Sequence, residues 1–297
     1  MGYAYLLLVA LFFSFGGTCV KLIRPFFAPS MITFMRFFVG VLWLLLLKAV
    51  TRRRFRPGLG AALKARWKWL AFGAAAKLLA YTAENTALSV GVSYGNILTQ
   101  PAQMLVLTAL SVAVLREEMT PLKWAGILCC VFGILLISWN GLPLAALLEG
   151  NLTLTLLYVF SGACAGFFIF AQKKVAEDFD VLDSNLCMFS LAALLAAAIT
   201  LFRGDARPVA APDLPCVLAI LWFGFVTGIG FYLNAKAVSL VPLQMVALLQ
   251  STTVFFALAW GILFFHEPVS VWIIAGTVLF VAGIVQMQLR PREAKEN

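Results

Sequence analysis

Residues 117–134 read EEMTPLKWAGILCCVFGI, and residues 267–284 read EPVSVWIIAGTVLFVAGI. At a shift of 150, Glu117 falls on Glu267, Ala125-Gly126 on Ala275-Gly276 and Gly133-Ile134 on Gly283-Ile284, with no gap. The same shift lays Gly16 on Gly166, Ser89 on Ser239 and Gln100 on Gln250. Residues 1–147 and 151–297 therefore read as two copies of one unit, each with five apolar stretches. An odd number of crossings per copy forces the second copy to enter a membrane in the opposite sense. Inverted repeats about an axis in the membrane plane recur in secondary transporters, with the binding site at the repeat interface. The fold expected is an all-α polytopic membrane protein, ten transmembrane helices arranged as two inverted five-helix repeats around a central cavity.

Composition agrees. Apolar residues make up 63% of the chain and charged residues 12%, with a mean hydropathy of +0.97. A soluble domain carries roughly 25% charged residues. Stretches near the twenty residues that cross about 30 Å of hydrocarbon lie at about 3–22, 31–50, 67–88, 93–114, 121–139, 152–172, 183–202, 214–235, 243–264 and 269–289. Between them sit turn formers such as Arg24-Pro25, Arg56-Pro57-Gly58, Asn140-Gly141, Arg203-Gly204-Asp205 and Pro268. The longest connection, around 51–66, is expected to include a short interfacial helix. No large segment remains outside the membrane to house soluble chemistry.

The net charge of +9 is not a nucleic-acid footprint. Lys48, Arg52, Arg53, Arg54, Arg56, Lys64, Arg66 and Lys68 crowd one connection, the pattern that orients membrane proteins with their basic loops in the cytoplasm. With both termini inside, sixteen Lys and Arg lie on the cytoplasmic side and four on the other. The expected location is a bacterial inner (cell) membrane, multi-pass, with cytoplasmic termini and the lipid bilayer as partner. The N-terminus lacks a basic n-region and an A-x-A-like site, so the first span is expected to be retained. Cys19, Cys129, Cys130, Cys164, Cys187 and Cys216 lie in or beside apolar runs without metal spacing, and His266 is the single histidine. No metal and no cofactor are expected.

A charged side chain within a span is costly and points to function or to a partner. Lys77, Tyr81 and Glu84 share one face of the third span, with Lys77 near mid-membrane and Glu84 about 10 Å farther out at 1.5 Å per residue. A zwitterion matches this column: its carboxylate to Lys77, its ammonium to Glu84, which is also a candidate for proton coupling. Arg36, entering from the outer end of the second span, reaches the level of Glu84 and is read as a structural charge paired with it. Such a pair would explain these charges without a ligand if Lys77 snorkels or bonds carbonyls. Gln100 and Gln250 are repeat mates near the midplane, and Gln103 lies about a turn deeper. Asn85, Tyr232 and Asn234 extend the polar belt, and Ser14 and Thr18 border it. Pro101 removes an amide donor from the fourth span. At the shift of 150, Lys77 and Glu84 meet only Thr227 and Asn234, so the duplication is broken there.

Gly162/Gly166 and Gly224/Gly228 predict close helix crossings in the sixth and eighth spans. Glu117, Glu118, Glu267 and His266 sit at span ends and read as caps or interfacial anchors. There is no nucleophile elbow, phosphate loop or metal triad, so an enzyme is not expected.

Three stretches carry a family resemblance. Residues 98–110, Leu-Thr-Gln-Pro-Ala-Gln-Met-Leu-Val-Leu-Thr-Ala-Leu, lead into Arg116-Glu117-Glu118-Met-Thr-Pro-Leu-Lys-Trp-Ala-Gly126 and Gly133-Ile-Leu-Leu. Phe265-His266-Glu267-Pro-Val-Ser-Val-Trp-Ile-Ile-Ala-Gly276 with Ala282-Gly283-Ile284 repeats the pattern, and Met31-Ile-Thr-Phe-Met-Arg36-Phe-Phe supplies an arginine-bearing second span. Together these resemble the EamA domain of the drug/metabolite transporter superfamily. The resemblance implies ten helices, a cavity lined mainly by spans 1, 3, 4, 6, 8 and 9, and export or exchange of small metabolites. The chain departs from the family in Gln250-Ser251, where an acidic or small residue followed by proline is common, and in Lys77 and Glu84.

The function expected is alternating-access transport of a small amphiphilic metabolite, an amino acid or related zwitterion, with Lys77, Tyr81, Glu84, Gln100, Gln103, Tyr232, Asn234 and Gln250 binding it. Two alternatives remain at this point: an exporter of organic cations or aromatic drugs, and a non-transporting membrane assembly or sensor subunit. Monomer and homodimer both fit.

Overall fold

The computed structural model describes residues 2–52, 59–91, 99–115, 120–139, 141, 152–175, 180–238, 252–266 and 269–288. They form ten helical segments and, among the described residues, no strand. In order these are α1 (Gly2–Ser14 continuing as Gly16–Ile23), α2 (Pro29–Val50), α3 (Leu59–Val90), α4 (Thr99–Leu115) and α5 (Pro121–Trp139). The second set is α6 (Leu152–Val175), α7 (Val181–Phe202), α8 (Leu214–Phe225, Val226–Gly230 and Phe231–Val238), α9 (Thr253–Phe265) and α10 (Val271–Gln288). Helices satisfy their own backbone groups, which hydrocarbon cannot do for them. By length and composition alone, Gly2–Ile23, Pro29–Val50, Leu152–Gln172, Val181–Phe202 and Leu214–Ala237 are long and apolar enough to cross a bilayer. Leu42, Leu46, Leu128, Phe132, Leu194 and Val278 point outward, an apolar exterior suited to lipid and not to water.

Local chemistry sets the ends. Pro29 opens α2, where its missing N–H breaks no helical bond. The Asp180 carboxylate accepts from Leu182 N at 3.2 Å at the start of α7, and Asp213 accepts from Cys216 N at 2.8 Å at the start of α8. Gly204 ends α7 with φ +71°, the left-handed turn that glycine takes without strain. Asp213→Ala should lower stability by about 1 kcal/mol. Thermal unfolding of the purified protein reads this, and an unchanged Tm counts against the cap.

One expectation needs correction. Residues 59–66 do not form a separate interfacial helix; α3 runs unbroken for 32 residues, and 53–58 lie outside the described residues. At 1.5 Å per residue such a helix is about 48 Å long, well beyond about 30 Å of hydrocarbon. The surplus carries Lys64, Arg66 and Lys68, whose charges keep that end out of the apolar layer.

The inversion is visible where α5 meets α10. A Cβ added to Gly133 lies 2.7 Å from the Gly276 carbonyl oxygen, and one added to Gly283 lies 2.5 Å from that of Gly126. Between these contacts the Cys130 thiol points at the Phe280 carbonyl oxygen, 3.6 Å away. Numbers rise along one helix as they fall along the other, so the two are antiparallel. Shifting by 150 turns each glycine contact into the other and maps Cys130 onto Phe280, the self-complementary pattern of a two-fold axis. Tyr81 and Phe231, also repeat mates, meet with ring centres 6.5 Å apart. The remaining packing obeys the same rule: α1 contacts α8 and α9, and α6 contacts α3 and α4.

Helices α2 and α7 join the halves again. Lys48 donates to Asp183 in a buried ion pair near one end, and Ser30 donates to Asp205 at the other. Between them Phe37 and Phe189 pack with ring centres 5.8 Å apart. The glycine pairs mark close crossings. Gly162 faces the Thr99 carbonyl and Ala102, and Gly166 faces the Gln103 carbonyl oxygen at 3.0 Å from a built Cβ. Gly224 faces Val39, and Gly228 faces the Gly40 carbonyl.

Candidate substrate cavity

Among the described residues two spans lose their regularity, and both border the interior. Helix α1 breaks at Phe15, where the Ser14 hydroxyl donates to the Leu11 carbonyl at 2.6 Å and accepts from Trp260 Nε1 at 2.7 Å. Helix α8 widens into a π turn over Val226–Gly230, a distortion frequent at functional sites. The turn places Thr227, the repeat mate of Lys77, against Arg36: its Oγ1 accepts from Arg36 Nε at 3.0 Å and donates to the Phe223 carbonyl at 2.9 Å.

Around these irregularities lies a small cavity partly open to its surroundings. Helix α3 supplies Lys77, Tyr81 and Glu84, and α4 supplies Gln100 and Gln103. Arg36 comes from α2 and Phe13 from α1. The second repeat contributes Ser161 and Ala165 from α6, Phe231 and Asn234 from α8, and Thr253 and Ala257 from α9. Both halves therefore build the wall, and two pairs of repeat mates line it, Tyr81 with Phe231 and Glu84 with Asn234.

The charges are arranged unequally. Arg36 is buried, with Nη1 3.7 Å from Glu84 Oε2 and its guanidinium carbon 3.3 Å from the Tyr81 ring centre and 4.0 Å from that of Phe223. Nη1 makes no hydrogen bond among the described residues. Lys77 is 5% exposed, and its ammonium lies 4.2 Å from the Tyr81 ring centre, 4.3 Å from Phe231 and 5.1 Å from Phe168. Among the described residues it meets rings and no carboxylate. Ring faces attract a desolvated cation by about 2 kcal/mol, less than burying a charge costs.

Of the residues singled out in the sequence, Lys77, Tyr81, Glu84, Gln100, Gln103 and Asn234 line this space. Tyr232 packs instead against the cluster of Phe37, Phe168 and Phe189. Asn85 is fully buried and donates to Thr33 at 2.9 Å, outside the lining. Pro101 falls in the first turn of the described part of α4, the turn of a helix in which proline is tolerated. Gln250, Glu117, Glu118 and Glu267 lie outside the described residues. Sequence reasoning passed over Phe231, Thr253 and Ser161. The first two were within reach, because the shift of 150 pairs them with Tyr81 and Gln103.

A family model for EamA-like transporters matches residues 1–139 and matches again at 152–288. The chain belongs to the EamA-like transporter family. EamA-like chains are membrane transporters of the drug/metabolite transporter superfamily. This EamA-like chain is accordingly a multi-pass membrane protein, and the reading as a non-transporting assembly or sensor subunit is set aside. A crystal structure of another protein superposes with a TM-score of 0.66 over 96% of this chain and 94% of that one, at 15% identity, a likeness of fold. No curated protein sequence matches.

Proposed function

We propose that the chain carries a small amphiphilic metabolite bearing a carboxylate, an amino acid or a related compound, across a bacterial inner membrane by alternating access. The observation that carries this reading is Lys77: a buried ammonium in a cavity built by both repeats, with aromatic faces around it and no carboxylate partner among the described residues. An intramembrane cation left in that condition marks a ligand site by default. The cargo carboxylate supplies the missing anion, and Phe13 and Phe231 give its apolar body a wall. Gln100, Gln103 and Asn234 offer hydrogen bonds for orientation, and Glu84, paired with Arg36, lies within the same lining.

Cytoplasmic termini follow from the basic second loop, and export or exchange is the direction proposed. Proton coupling enters through Glu84; transport in proteoliposomes that ignores an imposed proton gradient removes that part of the proposal. An organic-cation carrier is the weaker reading, since the one lining carboxylate described, Glu84, already faces Arg36.

Counterflow in proteoliposomes, with amino acids and their N-acylated and deaminated derivatives, tests the carrier reading. Lys77→Met should cut transport by about thirtyfold or more while the protein still purifies as a folded species. Transport at the unaltered rate in that variant removes Lys77 from the site.

A further inference from the structure

We infer that the cavity selects a cargo of net charge −1, a carboxylate on an apolar body whose amine is absent or acylated. This rests on the reading of Lys77 as the carboxylate anchor and narrows it. Among the described residues two cations and one carboxylate line the cavity: Arg36, Lys77 and Glu84. The stretches 92–98 and 239–251, which precede α4 and α9 in the chain, contain no Asp, Glu, Lys, Arg or His.

Glu84 stands 3.7 Å from Arg36, and these two charges cancel. Lys77 is left over. It lies over the same Tyr81 ring as Arg36, at 4.2 and 3.3 Å from the ring centre, so the two positive centres are no farther apart than those distances combined. The rest of the described wall is amide, hydroxyl and apolar, and none of it answers a second positive charge.

Charges held away from water are tolerated when they sum to nothing and resisted when they do not. A monoanion brings the site to neutrality. A zwitterion leaves the surplus in place, and a cation adds to it. An ammonium must also take Glu84 from Arg36, exchanging one pair for another and leaving a guanidinium unmatched. Discrimination of this kind works by repelling the wrong partner as much as by attracting the right one.

The test uses the purified full chain in detergent and probes that share one body and differ in charge. N-acetyl-L-phenylalanine, L-phenylalanine and L-phenylalanine methyl ester form one set, and the leucine counterparts form a second. Competition binding should rank the N-acetyl compound about tenfold or more above the other two in at least one set, and it should raise the Tm by mass action. Lys77→Gln neutralises the wall, so the zwitterion should then bind at least as well as the N-acetyl compound, whereas Lys77→Arg should keep the original order. A purely structural Lys77 moves the Tm and leaves the rank unchanged, which overturns the inference. So does tightest binding of the zwitterion or the ester by the unaltered protein, and that result leaves the carrier reading standing. Silence from all six probes also overturns the inference, and it reaches the carrier reading only if Lys77-dependent counterflow is absent as well. Where Lys77→Gln does not fold, the order in the unaltered protein decides.

Discussion

Arg36→Gln should cost the carrier about 3–5 kcal/mol of stability, because it strands the Glu84 carboxylate in the interior without its cation. The two side chains are 6% and 13% exposed and stand 3.7 Å apart, and Arg36 is the only ion-pair partner Glu84 has among the described residues. The guanidinium does more than neutralise. It donates to Thr227 in the π turn of α8 and covers the rings of Tyr81 and Phe223, so one side chain ties α2, α3 and α8 together. Arg36→Lys keeps the charge and loses the planar fork and the ring stacking, so it should recover only part of the loss. Glu84→Gln in the Arg36→Gln background removes the stranded charge. The double variant should then be more stable than the sum of the two single losses predicts, with a coupling of about 0.5–3 kcal/mol. Chemical unfolding of the four proteins in detergent measures the cycle. Strict additivity sinks the pairing and returns both residues to independent roles at the cargo.

The next largest effect is expected on the two-fold axis. Gly276→Ala places a methyl 2.7 Å from the Gly133 carbonyl oxygen and 2.8 Å from Ile137 Cγ1; Gly133→Ala meets Gly276 and Phe280 in the same way. The nearest atom on each side is a backbone carbonyl oxygen, which cannot swing aside as a flexible side chain can, so α5 and α10 must shift apart there. Overpacking of this type costs about 1–3 kcal/mol for the methyl, and Val at either position should cost more. Gly60→Ala on α3 is the control: nothing lies within 4 Å of its built Cβ, and alanine there should be neutral or add up to about 1 kcal/mol through helix propensity. Thermal unfolding of the three variants decides it, and an unshifted Tm for both axial alanines refutes the close approach.

The architecture was legible because a single number, the shift of 150, encodes it. Glycines at 126, 133, 276 and 283 survive that shift and prove to be places where the copies approach closely. The α3 column was legible for another reason: lysine and glutamate are so unfavourable in a span that their presence is itself a signal. The pairing of Arg36 with Glu84 was legible too, because counting residues inward from the two span ends puts them at one level, and they stand 3.7 Å apart. What the sequence could not convey was the surroundings of Lys77, which faces the rings of Tyr81, Phe231 and Phe168 contributed by α3, α8 and α6. The π turn was hidden as well. Val226-Thr-Gly-Ile-Gly230 contains no proline, and the close crossing beside it involves another helix, where the Gly40 carbonyl oxygen lies 2.5 Å from a Cβ built on Gly228. The interfacial helix expected near 51–66 is, over 59–66, the cationic end of α3, because such an end and a separate element look alike in composition.

The self-complementary contact between α5 and α10 has a consequence for how such a chain can diverge. Each glycine there is opposed by the descendant of its neighbour in the other copy, so a larger residue in one copy is felt at once by both, and the four positions are bound to a common history. Lys77 and Thr227, or Glu84 and Asn234, share an ancestor position but answer to different surroundings, and one member can change without its twin. A duplicated chain of this kind keeps its axial contact as an heirloom and lets its interior specialise.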